Sequence, residues 1–487
     1  MSVFTTDELP VLKALGGLIF TNPFTPERLQ LEETILGRKR PGEVWNMHSV
    51  TSDDISEIAT LAESRAEQIS RQIAGTKISR SDCEIIEPVM LYHLFEKYRF
   101  PMVKQMLEEA QSTRCEYYRA FEKDFKLFLD FPGRATPRNY EPAKTFAIFF
   151  QIHRAFYYIF DFIIGGSIAA GELRASIWQS IFTCDIHRWQ RVMFDRMNQI
   201  TTLIQGESGV GKEIAANIIH SNSTRGKKPL ISINCAAIPE NLLESELFGY
   251  SPGAFTGANK HGKAGIFETA NTGTLFLDEV VEIQPNMQSK LLRVLEERKI
   301  RRIGAANDIP VDVRIVAATN QNIKKFLEEG KLRNDLYFRL NSFEINIPPL
   351  RERREDIPEL LNYYVKILST KLNRKVKGFE SNLIRRLQSY DFPGNVRELR
   401  NMVERAIILS DNETLSIKDF AFMGISDMEE LFLPEPEHEI FDLDEIEKRV
   451  ILKALERSGY KKTEAAQLLN ITRQALDRRL EKYDIDV

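Results

Sequence analysis

One eight-residue stretch, Gly206-Glu-Ser-Gly-Val-Gly-Lys212-Glu213, limits the fold of this chain more than any other. Its G-x-x-x-x-G-K spacing is that of a phosphate-binding loop. It stands between an apolar strand-like run, TTLIQ, and an amphipathic helix-like run, EIAANIIH. Gly206, Gly209 and Gly211 let the backbone turn N–H groups inward around a phosphate. The following helix N-terminus adds a favourable dipole, and Lys212 supplies a point charge to the β- and γ-phosphates. Glu207, Ser208 and Val210 complete the loop. Glu213 stands where such loops usually place Ser or Thr, so the Mg²⁺ hydroxyl ligand is missing there.

The rest of the chain agrees with a nucleotide site on a parallel sheet. Gly273-Thr-Leu-Phe-Leu-Asp278-Glu279 is an apolar strand ending in two carboxylates. In P-loop ATPases such an Asp holds Mg²⁺, and Glu279 is then placed to orient the attacking water. A third strand, Val313 to Thr319, ends at Asn320, whose amide could sense a γ-phosphate. From Thr201, short apolar strands alternate with amphipathic helices, the grammar of an α/β fold. Helices resume after Pro348-Pro349 and run to about Phe422.

The first 175 residues read as mostly α-helical, with apolar residues at three- and four-residue spacing over Ile55–Ile73 and Pro88–Phe125. Phe146 to Ala170 is apolar enough to imitate a membrane span. It contains His153, Arg154 and Asp161, which points instead to a buried or partner-facing helix and to no membrane. Its dense aromatics read as core packing, with a ligand pocket as the alternative. Met1 to Leu9 carries Asp7 and Glu8 and no basic segment, unlike a signal peptide. Four cysteines with no C-x-x-C pair fit a reducing compartment.

Charge is distributed unevenly. The whole chain carries 66 Lys+Arg against 70 Asp+Glu, so a nucleic-acid surface has to be local. Asp427 to Glu447 holds ten acids and no Lys or Arg, a linker composition. Lys448 to Tyr483 reverses this with ten Lys/Arg against four Asp/Glu. A basic, helical end on an acidic chain suggests DNA binding, with an oligomerisation helix pair as the alternative. Thr463 can cap one short helix and Thr472 the next, with Asn470 in the turn. Ala465, Ala466, Leu468, Leu469, Ile471, Ala475, Leu476 and Leu480 supply a small core. Arg473, Gln474, Asp477 and Arg478, with Thr472, would face a DNA major groove.

Over about 290 residues the chain resembles the bacterial sigma-54-dependent transcriptional activators, or enhancer-binding proteins. The sharpest marker is Gly253-Ala254-Phe255-Thr256-Gly257-Ala258, an intact GAFTGA preceded by Leu242-Leu-Glu-Ser-Glu-Leu-Phe-Gly249. In that family this loop touches the sigma factor, with Phe255 and Thr256 at the contact positions. The resemblance makes Asn234 the switch residue that pairs with Glu279. It makes Arg333 and Arg339, in Lys331-Leu-Arg333-Asn-Asp-Leu-Tyr-Phe-Arg339, the arginine fingers that reach a neighbouring subunit's nucleotide. Leu332 stands where the family often has Phe. Pro349-Leu-Arg-Glu-Arg-Arg-Glu-Asp-Ile-Pro358 opens the helical lid, and Arg397, in Phe392-Pro-Gly-Asn-Val-Arg397-Glu-Leu, is the sensor II arginine. Glu213 is no anomaly there, since the family commonly carries Glu at that position. The C-terminal end resembles the family's Fis-type helix-turn-helix.

The implied fold is an α/β P-loop AAA+ domain with a helical lid, flanked by an N-terminal mostly α-helical domain and a C-terminal all-α helix-turn-helix. The expected divisions are 1–175 regulatory, 176–347 ATPase core, 348–424 lid, 425–447 acidic linker and 448–487 DNA-binding. The expected activity is ATP hydrolysis with Mg²⁺ in a cytoplasmic, bacterial homo-oligomer, a hexamer as in the family. It would bind upstream enhancer DNA and remodel the sigma-54 RNA polymerase holoenzyme to open promoters. The rival is a nucleotide-binding DNA regulator that does not remodel polymerase. No phospho-receiver or Gly-rich ligand motif is legible in residues 1–175.

Overall fold

The computed structural model describes residues 3–40, 52–74, 78–107, 117–130, 141–182, 200–255, 259, 261–423, 443–469, 471–483 and 485. Residues 1–419 form one compact unit and 420–487 a second.

The first unit begins with helices, as the three- and four-residue spacing predicts. They are α1 (Leu9–Gly17), α2 (Pro26–Leu36), α3 (Ser52–Ile73), α4 (Arg80–Lys97), α5 (Arg99–Leu107), α6 (Tyr118–Leu129), α7 (Pro142–Phe162) and α8 (Ile168–Ile181). Several starts have a local cause. Ser79 and Ser167 accept from the N–H groups of Asp82 and Ala170 at the heads of α4 and α8, and Pro142 opens α7. α1 crosses α4 closely enough that a Cβ on Gly16 would lie 2.6 Å from Pro88 Cβ.

The span-like stretch is two helices. α7 buries Thr145, Ile148, Phe149, Ile152, His153, Ala155 and Ile159, a helical stripe facing the core. The chain then breaks at Gly165, where φ is +132° and a Cβ would collide with the Asp356 carboxylate. No helix among the described residues is long and apolar enough to cross a membrane. α8 runs through position 175/176, so no break in secondary structure falls there.

The α/β part holds a five-stranded all-parallel sheet. Its strands are β1 (Thr202–Gln205), β2 (Leu230–Asn234), β5 (Thr274–Asp278), β6 (Arg314–Thr319) and β7 (Phe343–Asn346), in the order β2-β5-β6-β1-β7. Strand alternation sends side chains to two different cores. Ile204, Phe276, Val316 and Ala318 pack with the P-loop helix α9 (Lys212–Ser221) and the N-terminal helices. Leu203, Leu275, Leu277, Ile315 and Ala317 pack on the other side with Leu291 and Leu295 of α11 (Pro285–Glu297) and Leu336 and Leu340 of α12 (Asn334–Leu340). Between β2 and β5 lie α10 (Glu240–Phe248) and a short antiparallel pair, β3 (Gly249–Tyr250) with β4 (Lys263–Ala264). The lid follows as α13 (Ile357–Lys371), α14 (Ser381–Gln388) and α15 (Asn395–Leu409), with Gly378–Phe379 pairing Thr414–Leu415.

The second unit contains α16 (Leu443–Arg457), α17 (Lys462–Leu468) and α18 (Arg473–Lys482). Ile451, Ala454, Leu455, Ala465, Ala466, Leu476 and Leu480 form its core. α16 supplies Ile451, Ala454 and Leu455, nearly half of these side chains. Leu468, expected inside, is 56% exposed. Thr463 lies within α17, whose N-cap is Lys461. Asn470 lies outside the described residues.

Candidate functional site

All the strands of the main sheet run parallel, so their C-terminal ends open on one edge, where open α/β sheets bind ligands. That edge gathers Asn234, Asp278, Glu279, Asn320 and the loop after β1. The loop adopts positive φ at Gly206 (152°), Gly209 (81°) and Gly211 (111°). At Gly209 a Cβ would stand 2.3 Å from the Gly394 carbonyl oxygen, so the lid approaches too closely for any side chain.

Lys212 is 8% exposed and turns back into its own loop. Its Nζ donates to the carbonyls of Gly206 (2.9 Å) and Glu207 (3.4 Å) and lies 3.5 Å from Glu279 Oε1. Burial, then the neighbouring Glu279 charge, raises the Asp278 carboxyl above its ordinary range. A cation beside it would relieve both. Glu279 has φ +54°, and its Oε2 accepts from the Asn320 N–H (2.9 Å) and the Thr319 hydroxyl (3.3 Å). Glu213 is exposed in the first turn of α9.

The switch pairing expected between Asn234 and Glu279 is not the one found. Asn234 Nδ2 donates to Asp278 Oδ2 at 3.3 Å, while its Oδ1 accepts from the N–H groups of Ala236 and Ala237. Register explains this: Asn234 and Asp278 are cross-strand partners on β2 and β5, whereas Glu279 has already turned toward β6.

The lid meets the loop through Arg351, Asn395 and Arg397. Arg351 makes a two-pronged contact with Glu207, at 2.6 and 2.9 Å. Asn395, fully buried at φ +53°, donates from Nδ2 to Glu207 Oε2 and the Ser208 carbonyl, both at 3.1 Å. Arg351 first, then Asn395, hold the Glu207 carboxyl down at about 2. Arg397 of the lid donates from Nη1 to Ser208 Oγ at 3.2 Å.

A cavity of about 290 Å³ adjoins the loop between Val210, Ile214, Ile164, Tyr363, Tyr364 and Val396. Its walls join the α7–α8 connection to the lid. The Ser167 N–H and hydroxyl donate to the two carboxylate oxygens of Asp356, each at 2.8 Å. Arg174 donates to the carbonyls of Ile163 and Gly165. Ser167 carries no motif in the sequence, and Asp356 lies in the Pro349–Pro358 segment with no role attached.

Arg333 and Arg339 stay away from this cleft. Arg333 sits at the N-cap of α12 and pairs with Asp335 (2.6 Å) and Ser289. Arg339 is exposed in the last turn, with one long bond to the Leu295 carbonyl (3.4 Å). β3 and β4 form the base of the GAFTGA loop. Gly253 has φ +71°, Ala254 packs near Gly304, and Phe255 is 45% exposed with its ring 5.0 Å from Tyr250. Thr256, Gly257 and Ala258 lie outside the described residues.

In the second unit Thr472 Oγ1 accepts from the Ala475 N–H at 3.2 Å, the expected cap. Arg473, Gln474 and Arg478 are exposed along α18. Asp477 lies 3.6 Å from Lys462 Nζ, and Arg479 pairs with Glu447 at 2.6 Å.

Comparison with known proteins gives these parts names. Residues 185–346 match the sigma-54 interaction domain, 351–426 the AAA+ ATPase lid domain, and 442–483 the Fis family of bacterial regulatory proteins. A signal-transduction and transcriptional-control protein of Clostridium beijerinckii is 43% identical over 337 residues, covering 69% of this chain and 50% of that protein. The transcriptional regulatory protein ZraR of Escherichia coli K12 is 46% identical over 288 residues, covering 58% and 64%. The chain thus spans between half and two thirds of the length of these relatives. The crystal structure of NtrX from Brucella abortus in complex with ADP aligns at 26% identity and a TM-score of 0.48, covering 80% of this chain and 85% of that one. With a sigma-54 interaction domain, an AAA+ lid and a Fis-family module in that order, the chain belongs over residues 185–483 to the sigma-54-dependent transcriptional regulators.

Proposed function

We propose that this chain is an ATP-hydrolysing transcriptional activator that binds upstream DNA and remodels sigma-54 RNA polymerase to open promoters. The observation that carries this reading is the convergence on one P-loop of Lys212, Glu279 and the lid's Arg397. The residues present fit a nucleotide. Gly209 and Gly211, both at positive φ, have the backbone freedom to turn N–H groups inward, while the Gly206 N–H donates to the Thr319 carbonyl at 3.3 Å. Lys212 spends its charge on carbonyls that a phosphate would replace. The 290 Å³ cavity beside Val210 and Tyr364 is lined mostly by apolar and aromatic side chains, as suits a base, with Arg353, Lys371 and Arg400 also on its walls. Mg²⁺ needs few protein ligands when phosphates supply the rest, and Asp278 is the group to hold it. That ion would supply charge neutralisation at the phosphates.

The chain's own residues then divide the work. Glu279, fixed by Thr319 and Asn320, orients water and accepts its proton at Oε1, the oxygen nearer Lys212. Arg397 and Arg351 couple closure of the lid to the loop. Asn234, bonded to Asp278, links the metal-side carboxylate to the turn before α10, and α10 leads into the GAFTGA base. Arg333 and Arg339, exposed and away from their own site, act in trans within a hexameric ring. Arg473, Gln474 and Arg478 read DNA. The ATPase core is taken to run from 176 to 347, and α8, which spans its start, packs on β7 and α9 while Ser167 anchors Asp356 of the lid.

The test is reconstituted transcription. The chain, ATP and sigma-54 holoenzyme should yield heparin-resistant open complexes on a supercoiled template, and a non-hydrolysable analogue should not. ATP turnover with no open complexes on any sigma-54 promoter would reject remodelling in favour of a DNA-binding ATPase.

A further inference from the structure

The first helix of the lid ends in a run of like charge. The stretch from Lys366 to Lys377 holds Lys366, Lys371, Arg374, Lys375 and Lys377 and no Asp or Glu. On α13, Asn362, Lys366, Ser369 and Thr370 stand at helical spacing on one face. The helix stops at Lys371, and Asn373 takes φ +51°, a left-handed turn that Asn tolerates. Two backbone bonds pin the returning chain. The Arg374 N–H donates to the Ser369 carbonyl (2.9 Å) and the Lys377 N–H to the Glu413 carbonyl (2.8 Å). An open groove of about 880 Å³ results, with Asn362, Lys366, Ser369, Thr370, Arg374 and Lys375 on its walls.

This groove has more donors and positive charge than the chain around it satisfies. Among the described residues Glu413 is the only acid that lines it, and Glu413 is paired with Lys377 at 2.7 Å. Lys366 and Lys375 are exposed, and neither has an ion-pair partner among the described residues. Ser369 is 5% exposed, and its hydroxyl has no hydrogen-bond partner among the described residues. Buried hydroxyls are normally satisfied, and the groove is the side from which a partner can come.

The lining selects that partner. Cations, hydroxyls and amides are the groups that contact phosphate oxygens in DNA complexes. The apolar side chains present, Val365 and Val376, are buried, so the groove lacks the exposed apolar anchor that holds a protein partner. It has no aromatic side chain either, which a single strand needs for stacking. From Asn362 to Thr370 the helix face runs about 12 Å, the axial length of roughly three or four phosphates of a duplex strand. Duplex DNA is also the ligand proposed for the second unit.

We propose that this groove is a second DNA surface, which holds the phosphate backbone of duplex DNA through Lys366, Arg374, Lys375 and the Ser369 hydroxyl. The contact needs neither ATP hydrolysis nor the base contacts of α18. It reads no base edge, so it adds affinity and salt dependence and no sequence preference.

Acetylation of lysines in the full chain, read by mass spectrometry, locates the contact. A long duplex of random sequence should protect Lys366 and Lys375 severalfold and leave the exposed Lys123 of α6 unchanged. Polyglutamate at equal charge should protect them far less. Lys366→Ala/Lys375→Ala should flatten the plot of log affinity against log salt by about 1–2 units, since each lost phosphate contact removes about 0.9. Lys123→Ala/Lys126→Ala removes the same charge and should leave the slope as it is. Ser369→Ala should weaken binding about twofold or more at unchanged slope, because it removes a hydrogen bond and no charge. Unprotected lysines on bound DNA, equal protection by polyglutamate, an unchanged slope in the lid variant, equal flattening in the α6 variant, or wild-type binding by Ser369→Ala overturns the proposal. If Arg473→Ala/Arg478→Ala binds DNA as the wild type does while Lys366 and Lys375 stay protected, the C-terminal reading fails and the lid surface stands.

Discussion

Ser167→Ala tests how the base-side cavity is held together. The Ser167 hydroxyl donates to Asp356 Oδ2 at 2.8 Å and accepts from the Ala170 N–H at 3.1 Å. Asp356 is fully buried. Losing a hydrogen bond to a buried charged group costs about 1.5–3 kcal/mol, and losing a helix cap about 1 kcal/mol. The Ser167 N–H still serves Oδ1, so a local loss of about 2–4 kcal/mol follows from these terms. Hydrogen exchange of α8 amides reads that loss as a fall in protection of roughly 30- to 1,000-fold. Binding of a fluorescent ATP analogue should weaken several-fold, because Ile163 and Leu360, which flank this tether in sequence, line the cavity. The pH dependence has a defined sign. Burial raises the Asp356 carboxyl, and the two Ser167 bonds pull it down. Removing one bond raises it further. A carboxyl raised by folding favours the folded state below its unfolded pKa and loses that advantage as pH rises through the folded value. The deficit of the variant should therefore be largest at neutral pH and shrink as pH falls through the folded value. A less than threefold change in α8 protection, or a deficit that grows on acidification, refutes the reasoning.

Glu279→Gln should bind ATP and lose on the order of 10²-fold or more in hydrolysis, since the amide keeps the Asn320 contact but cannot take a proton; near wild-type turnover in folded protein would sink the assignment. Arg339→Ala should lose hydrolysis yet bind nucleotide, and mixing it with Lys212→Ala protein should restore part of the turnover; no recovery at any ratio, with normal assembly of both, argues against action in trans. Thr256→Ala should keep ATPase activity and stop sigma-54-dependent transcription, and unchanged transcription would remove the assigned role of the loop. Arg478→Ala should cost about 1–3 kcal/mol of DNA binding and relax specificity at one position if it reads a base edge. If it meets only phosphate, the salt slope should shrink by about one unit instead; isotherms on target and scrambled sites that match wild type would exclude both.

What could be read before folding follows from whether a role is local. The P-loop is a backbone conformation, and the three glycines at positive φ announce it in consecutive residues. Asp278 is the last residue of an apolar strand and Glu279 follows it, so chain direction alone puts them at the sheet's C-terminal edge. The Thr472 cap is likewise local, its partner being three residues away. The switch pairing was misread because it depends on register. Asn234 meets whatever stands opposite it on β5, and one step of register separates Asp278 from Glu279. The lid contacts were missed because their partners are far apart in sequence: Glu207 with Arg351 and Asn395, Ser167 with Asp356. Arg351 stood among three arginines in Arg351-Glu-Arg-Arg354, and nothing local marks which of them turns toward a distant carboxylate. Leu468 was assigned to a core by its type, but α16 covers the other side of the small bundle and leaves it outside. The N-terminal helices are the extreme case. Their apolar stripes predict helices and a core, and His153 and Glu96 are two ordinary polar residues in sequence. Only packing brings them onto one apolar wall, with Gln151 and Arg154 turned to the P-loop helix behind it. Contacts between helices leave no spacing to read, so residues that only packing brings together stay silent in the sequence.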